Sequence, residues 1–331
     1  MKSLTQHITE KLVLTNKSKI RGKQTYNYCP KDLDELRDIM YKLIDERGNK
    51  ANLNDIDVSN IITLERLFLE FDDFNGDISE WDVSNVLIMT DTFAASDFTG
   101  DISQWDVSNV TTMQRMFHNS EFDGDISNWD VHNVENMTDM FNGSKFTGDL
   151  NKWDVSKVKL MSGMFGESIF EGDISNWNVK EVTRMDFMFE GNMVWDGDIS
   201  KWDVSNVTTM IRMFNDSGFT GKNGSLKNWN VENVIDAQLM FANSDFNGDL
   251  SGWKLKKATS IRSMFLRSSF NNDSIKDWNK YLNSVRNMNF MFAETKFSQD
   301  LSHWTIDKRC DTSGMFDDCP IKEEYKPKFK K

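Results

Sequence analysis

The sequence predicts an α/β solenoid of about 11 stacked coils, one for each turn of a repeat of 24–27 residues. Three observations carry this. Trp81, Trp105, Trp129, Trp153 and Trp177 fall every 24 residues, and Trp202, Trp229, Trp253, Trp278 and Trp304 continue the series at intervals of 24 to 27. A second ladder, Phe93, Phe117, Phe141, Phe165, Phe189, Phe214, Phe241, Phe265, Phe292 and Phe316, follows twelve residues behind it and slips to fourteen once, with Phe68 opening it one coil early. Ile or Leu precedes each ladder Trp by three residues, as in Ile78, Ile102, Ile126 and Leu150. Side chains this bulky at a fixed period are the core columns of a stack.

Within a coil, D-I-S-x-W-D-V is bounded by a Gly-Asp turn and suits a short strand. The V-x-x-M-x-x-M-F segment, as in Val110, Met113, Met116 and Phe117, has apolar residues at i, i+3, i+6 and i+7, which suits one or two helical or 3₁₀ turns. Three residues after each ladder Phe sits a small one, from Ser96 and Ser120 to Thr295 and Cys319, with Asn192 as the exception; a tight inward corner explains the column and makes Cys319 a small buried residue. Trp195 takes a Phe column displaced by one inserted residue, and the methionines fill core gaps. Extra residues near 192–194, 222–224, 271–273 and 280–282 fall between core columns, where loops belong.

Outside the repeat region of 50–321 lie three further pieces. Residues 30–49 hold an amphipathic helix from about 30 to 47, with Pro30 at its first position and Gly48 at its end, that caps the first coil. The final coil is degenerate, with Arg309 and Thr312 in the Val and first Met columns, and forms the other cap. Residues 1–29 carry six cations against Glu10 and read as a flexible basic arm; Leu4, Ile8, Leu12 and Leu14 beside Lys11, Lys17, Lys19, Arg21 and Lys23 make it a candidate docking element. Residues 322–331 are a basic tail.

Composition sets limits on function. The net charge of −13 opposes nucleic-acid and anionic-membrane binding. No apolar run is long enough to span a membrane and residues 1–15 lack the core of a secretory signal, so the expected setting is cytoplasmic or within an assembled particle, with the cell surface reached only by a non-standard route. Cys29, Cys310 and Cys319 form no disulfide framework. His7, His118, His132 and His303 are scattered, and no nucleophile, P-loop or zinc pattern occurs, so no catalytic, cofactor or metal residue is assigned.

Carboxylates are the one constellation to weigh. Asp77, Asp101, Asp125, Asp149, Asp173, Asp198 and Asp249 follow Gly in one column; Asp82, Asp106, Asp130, Asp154 and Asp203 follow Trp in another, with Asn178, Asn230 and Asn279 as neutral replacements. Like charges at about 5 Å repel, so the columns need a reason. Capping of turn N–H groups supplies one, and the neutral Asn replacements favour it over calcium.

The repeated G-D-I-S-x-W-D-V-S-N-V-T-x-M-x-x-M-F-x-x-S-x-F over about residues 55–321 resembles the BspA-like leucine-rich repeats, the DUF285-type repeats of surface proteins from Bacteroidetes, mycoplasmas and other host-associated bacteria. The resemblance implies a right-handed leucine-rich-repeat-like stack that adheres to proteins or cells, usually behind a signal peptide, which this sequence lacks; it carries over no catalytic residue. The expected function is therefore a non-catalytic scaffold binding a protein partner through the positions that vary between columns: Gln114, Arg115, His118, Asn119 and Glu121 in one coil. The alternative is a decoration or cargo protein of a larger assembly tethered by residues 1–29, an arm similar to the Lys-rich starts of proteins of large Bacteroidetes phages, which implies a virion component.

Overall fold

A computed structural model describes residues 19–21, 24–69, 71 and 73–329. β1 (Lys19–Arg21) and β2 (Gln24–Tyr26) form an antiparallel pair in which Ile20 faces Thr25. Tyr26 is buried and Tyr28 makes a parallel bridge to Ile56, so the packed body starts upstream of residue 30. Helix α1 (Leu33–Arg47) buries Leu36, Ile39, Met40 and Leu43. Its start is corrected from Pro30: Asp32 is the N-cap, its carboxylate accepting the Glu35 N–H at 2.9 Å. Gly48, at φ 82, returns its N–H to the Ile44 carbonyl and ends the helix.

From there the chain is a succession of repeats joined by parallel bridges. One column of eleven residues, Thr63, Ile88, Thr112, Asn136, Leu160, Arg184, Thr209, Asp236, Ser260, Asn287 and Asp311, is linked each to the next. The aromatic columns stack in the same order, with Phe117 5.6 Å from both Phe93 and Phe141, and Trp81 6.3 Å from Trp105. Trp195 stacks at 4.0 Å on Phe189 and at 5.8 Å on Phe219, within a second aromatic column that includes Phe170 and Phe246. The indole N–H groups tie repeats together: Trp105, Trp129 and Trp153 each donate to the Ile carbonyl of the repeat before, at 3.1 Å.

Most of the described repeats carry neither the strand nor the short helix or 3₁₀ segment expected of them. The repeat around Phe117 is a run of β-turns, closed by Trp105 on Ile102, Val110 on Val107, Met116 on Met113 and Ser120 on Phe117. The i, i+3 apolar spacing that reads as a helix is equally the chord of a β-turn, whose two ends both point inward. Helix propagation is ruled out at Arg115 and Asn119, the third residues of the last two turns, which take φ 54 and 52. These turns nonetheless act as a ladder: Met113, Arg115, Phe117 and Asn119 donate their N–H groups to the carbonyls of Asn136, Thr138, Met140 and Asn142 in the next repeat.

The small-residue column is buried, from Ser96 at 1% exposure to Thr295 at 5%. Asn192, its exception, is fully buried; its amide donates to the Phe170 carbonyl while its oxygen accepts from Val194 and Trp195, bracing the inserted residues, whose Met193 side chain is 68% exposed. Cys319 is only half-buried, its thiol donating to the Phe297 carbonyl. In the last repeat it is Cys310, not Arg309, that occupies the Val column, closing its turn on Asp307; one residue is missing before Thr312. Burial pushes the Cys310 thiol up to about 11. Arg309 instead clasps Asp307 on the surface. Next to the later insertions the chain forms 3₁₀ turns at Leu226–Asn228, Asp273–Lys280 and Leu282–Ser284. Finally β4 (Lys328–Phe329) pairs in parallel with β3 (Thr305–Ile306), and the Leu301 N–H donates to the Tyr325 carbonyl.

Candidate interaction face

Two kinds of surface column emerge from this geometry. In the first, the side chain is occupied by its own turn. The carboxylates of Asp101, Asp125, Asp173 and Asp198 accept the N–H two residues on, at 2.9 Å, and Asp106, Asp154 and Asp203 do the same after the Trp. Asn178 and Asn230 make the same bond, whereas Asn279 accepts instead from the Thr305 N–H. The bonds to Ser127 and Ser156 hold the Asp125 and Asp154 carboxyls below the ordinary range. Asn109 and Asn133 likewise donate to the Ser84 and Ser108 carbonyls at 2.8 Å. Among the described residues no group of three or more His, Cys, Asp and Glu side chains is arranged to hold a metal ion.

The second kind lies along the turn ladder. The column of Arg115 runs Arg66, Asp91, Arg115, Asp139, Gly163, Phe187, Arg212, Leu239, Ser263, Phe290 and Gly314, and every member has positive φ. Its charges oppose across repeats: Arg66 Nε is 3.9 Å from Asp91 Oδ2, and Arg115 Nε is 3.0 Å from Asp91 Oδ1. Asp91 Oδ1 nevertheless has no aligned hydrogen bond, so the Arg115 contact is coulombic. Side chains here lean toward the following repeat. A Cβ on Gly163 would collide with the Asp139 carboxylate, and one on Gly143 with the Asn119 amide, which is why glycine follows them.

Of the residues expected to bind a partner, Arg115, Asn119 and Glu121 are exposed, and Gln114 and His118 are half-buried. Arg115, His118 and Asn119 come together with Asp91 and Asp139 from the neighbouring repeats; the Asn119 amide nitrogen is 3.2 Å from His118 Nε2. Burial, then Arg115, holds the His118 pKa below its ordinary value, against the pull of Asp139 and Asp91. Burial raises that of Asp139. Gln114 is turned toward Asn136, which donates to it at 3.3 Å, and Glu121 is not brought into this group, its backbone N–H donating to the Ser96 carbonyl. Leu4, Ile8, Lys11, Leu12, Leu14, Lys17 and Lys23 lie outside the described residues, whereas Lys19 and Arg21 fall in β1. Sequence reasoning missed Phe187, Leu239 and Phe290 on this face; counting one period at a time from Arg115 would have found them.

These features define a tandem-repeat protein whose turn-capping columns recur and whose ladder columns vary. A family model described as "Mycoplasma protein of unknown function, DUF285" matches residues 38–147, 142–247 and 239–325, and the chain belongs to that family. No curated protein and no solved structure matches it. Among the described residues no helix is long and apolar enough to cross a membrane.

Proposed function

We propose that the stacked repeats form a solenoid that serves as a non-catalytic scaffold, binding a protein partner through its ladder face. The observation that carries this is the positive φ of the Arg115 column. A bulky L-residue in that conformation costs on the order of 1–3 kcal/mol, and Gly or Asn would relieve it. Gly stands there at Gly163 and Gly314, yet Phe187, Leu239 and Phe290 stand at the same place in other repeats. Folding alone favours the smaller residue, so the side chains are kept for what they present. Backbone strain at a surface position is a common mark of a binding site.

The test replaces Arg115, Phe187, Leu239 and Phe290 together by Asn, which tolerates positive φ. The variant unfolds cooperatively, as the native chain does, but no longer captures the partner that the native chain recovers from its own cells by cross-linking. An unchanged set of captured proteins would sink the proposal.

A further inference from the structure

The ladder between repeats has a direction. N–H groups at alternate residues of one repeat donate to the following repeat, as Met288, Phe290, Phe292 and Glu294 do to the carbonyls of Asp311, Ser313, Met315 and Asp317. At the upstream end one of the four matching carbonyls, that of Glu65, accepts from Arg37 of α1 at 2.8 Å. At the downstream end the equivalent donors are the N–H groups of Thr312, Gly314, Phe316 and Asp318. Among the described residues none of the four meets an acceptor, while the intervening Met315, Asp317 and Cys319 close turns on Thr312, Gly314 and Phe316. Residues 326–329 return beside this edge, with Lys326 Nζ 6.0 Å from the centre of the Phe316 ring, but among the described residues they accept none of its four N–H groups, and β4 pairs with β3.

Two further features lie beside the open row. A pocket of about 260 Å³ is lined by Ile306, Met315, Phe316, Lys326, Pro327 and Phe329, with Phe329 54% exposed and Lys326 ion-paired to Glu323. Asp317 and Asp318 are exposed, and neither has an ion-pair partner among the described residues.

We infer that this end of the stack binds an extended peptide carrying an apolar residue next to a lysine or arginine. Donors at every second residue match the carbonyls along one edge of an extended chain, which also recur at every second residue, while the peptide N–H groups on that edge stay hydrated. The pocket receives the apolar side chain, and Asp317 and Asp318 select the cation. A bare row of donors next to an apolar pocket is otherwise an aggregation liability, which charge on the edge restrains. The site is separate from the ladder face proposed above, since it is made by the backbone of one repeat and lies across the end of the column.

The experiment uses the full chain and two acetylated, amidated pentapeptides, Lys-Leu-Val-Leu-Thr and Glu-Leu-Val-Leu-Thr. Binding is followed by fluorescence anisotropy and by amide hydrogen exchange resolved at residues 312–318. The lysine peptide slows exchange at Thr312, Gly314, Phe316 and Asp318 and binds more tightly than the glutamate peptide. Replacing its alternate amides by esters, which makes the carbonyls poorer acceptors, weakens binding. The double variant Asp317→Asn, Asp318→Asn keeps its melting temperature and loses roughly three- to tenfold in affinity, the size of two exposed ion pairs. The inference is overturned if the lysine peptide leaves these four amides unprotected or if the ester version binds equally well. Protection that rises with protein concentration in the absence of peptide also overturns it, because a second copy of the chain is then the occupant.

Discussion

The indole N–H of Trp129 reaches out of its own repeat and bonds the carbonyl of Ile102 at 3.1 Å, 27 residues back. Both groups are buried, so the pair acts as a rivet as well as a packing contact. Trp304 makes a similar bond to the Lys276 carbonyl, but that carbonyl is also 2.7 Å from His303 Nε2.

Trp129→Phe therefore removes one of the two hydrogen bonds on the Ile102 carbonyl, which keeps the Trp105 N–H, and costs about 0.5–1.5 kcal/mol beyond lost area. Trp129→Ala costs about 3–5 kcal/mol. Denaturant midpoints of the Trp129 variants check the order; a Trp129→Phe variant as stable as the native chain would remove the hydrogen bond from the account.

Ala95 and Gly143 stand in the same ladder column, at φ 52 and 67. Ala95→Gly relieves an exposed methyl of an unfavourable conformation, and the gain of about 1–2 kcal/mol outweighs the 0.4–1 kcal/mol of added freedom in the unfolded chain. Gly143→Ala does the reverse and also drives a methyl into the Asn119 amide. Thermal melts should move up for the first and down for the second. A drop for Ala95→Gly would mean that the turn is not strained there.

Acid should loosen the stack. The turn-capping carboxyls of Asp125, Asp154, Asp198, Asp203 and Asp300 have folded pKa values below their unfolded value near 3.8, chiefly through their bonds to Ser127, Ser156, Ser200, Ser205 and Ser302. Groups depressed in this way contribute stability that is present above the unfolded value and lost as pH falls through the folded one. Asp139, raised by burial, works in the opposite sense, losing its contribution as pH rises through its folded pKa. Melting temperature should fall steeply below about pH 4. Asp→Asn changes across the capping column should flatten that fall.

Calcium should leave the protein unmoved if turn N–H groups are what these carboxylates serve. A ligand at 100 times its dissociation constant adds about 2.7 kcal/mol, so a melt in millimolar calcium that rises well above one in chelator would contradict the capping role.

His118 should titrate below 6.5, because burial and then Arg115 disfavour its cation. Its contribution to stability is present above the unfolded pKa and lost as pH falls through the folded one. Asp139→Asn removes an opposing attraction and lowers the value further; Arg115→Gln raises it. Proton NMR of the ring resolves all three, and an Asp139→Asn shift upward would refute the arrangement of charges.

The core was legible because a 24-residue period decides which side chains meet, and Trp, Phe and Ile columns leave no other burial pattern open. The turn caps were legible for a related reason, since Asp and Ser two residues apart recur in most repeats. The conformation of the ladder was not. Val110, Met113, Met116 and Phe117 have the spacing of a helix and of consecutive turns alike, and only the sign of φ separates them. Arg115, Phe187 and Leu239 give no hint of positive φ, since residues of their kind avoid it. On the ladder face, Arg115 and His118 were identified without Asp91 and Asp139, the neighbours that set their charge balance.

The directional ladder makes size a matter of counting. Each repeat offers donors to the one after it and carbonyls to the one before, and insertions such as those at Asn192 and Lys222 are accommodated off the ladder. Removing or duplicating one period joins two junctions of the same kind, so the chain can shorten or lengthen by whole repeats of about 5 Å while both ends keep their form. The span of the variable face is thus set in integers, and a gene encoding it can change that span by slippage between near-identical stretches without inventing a new contact.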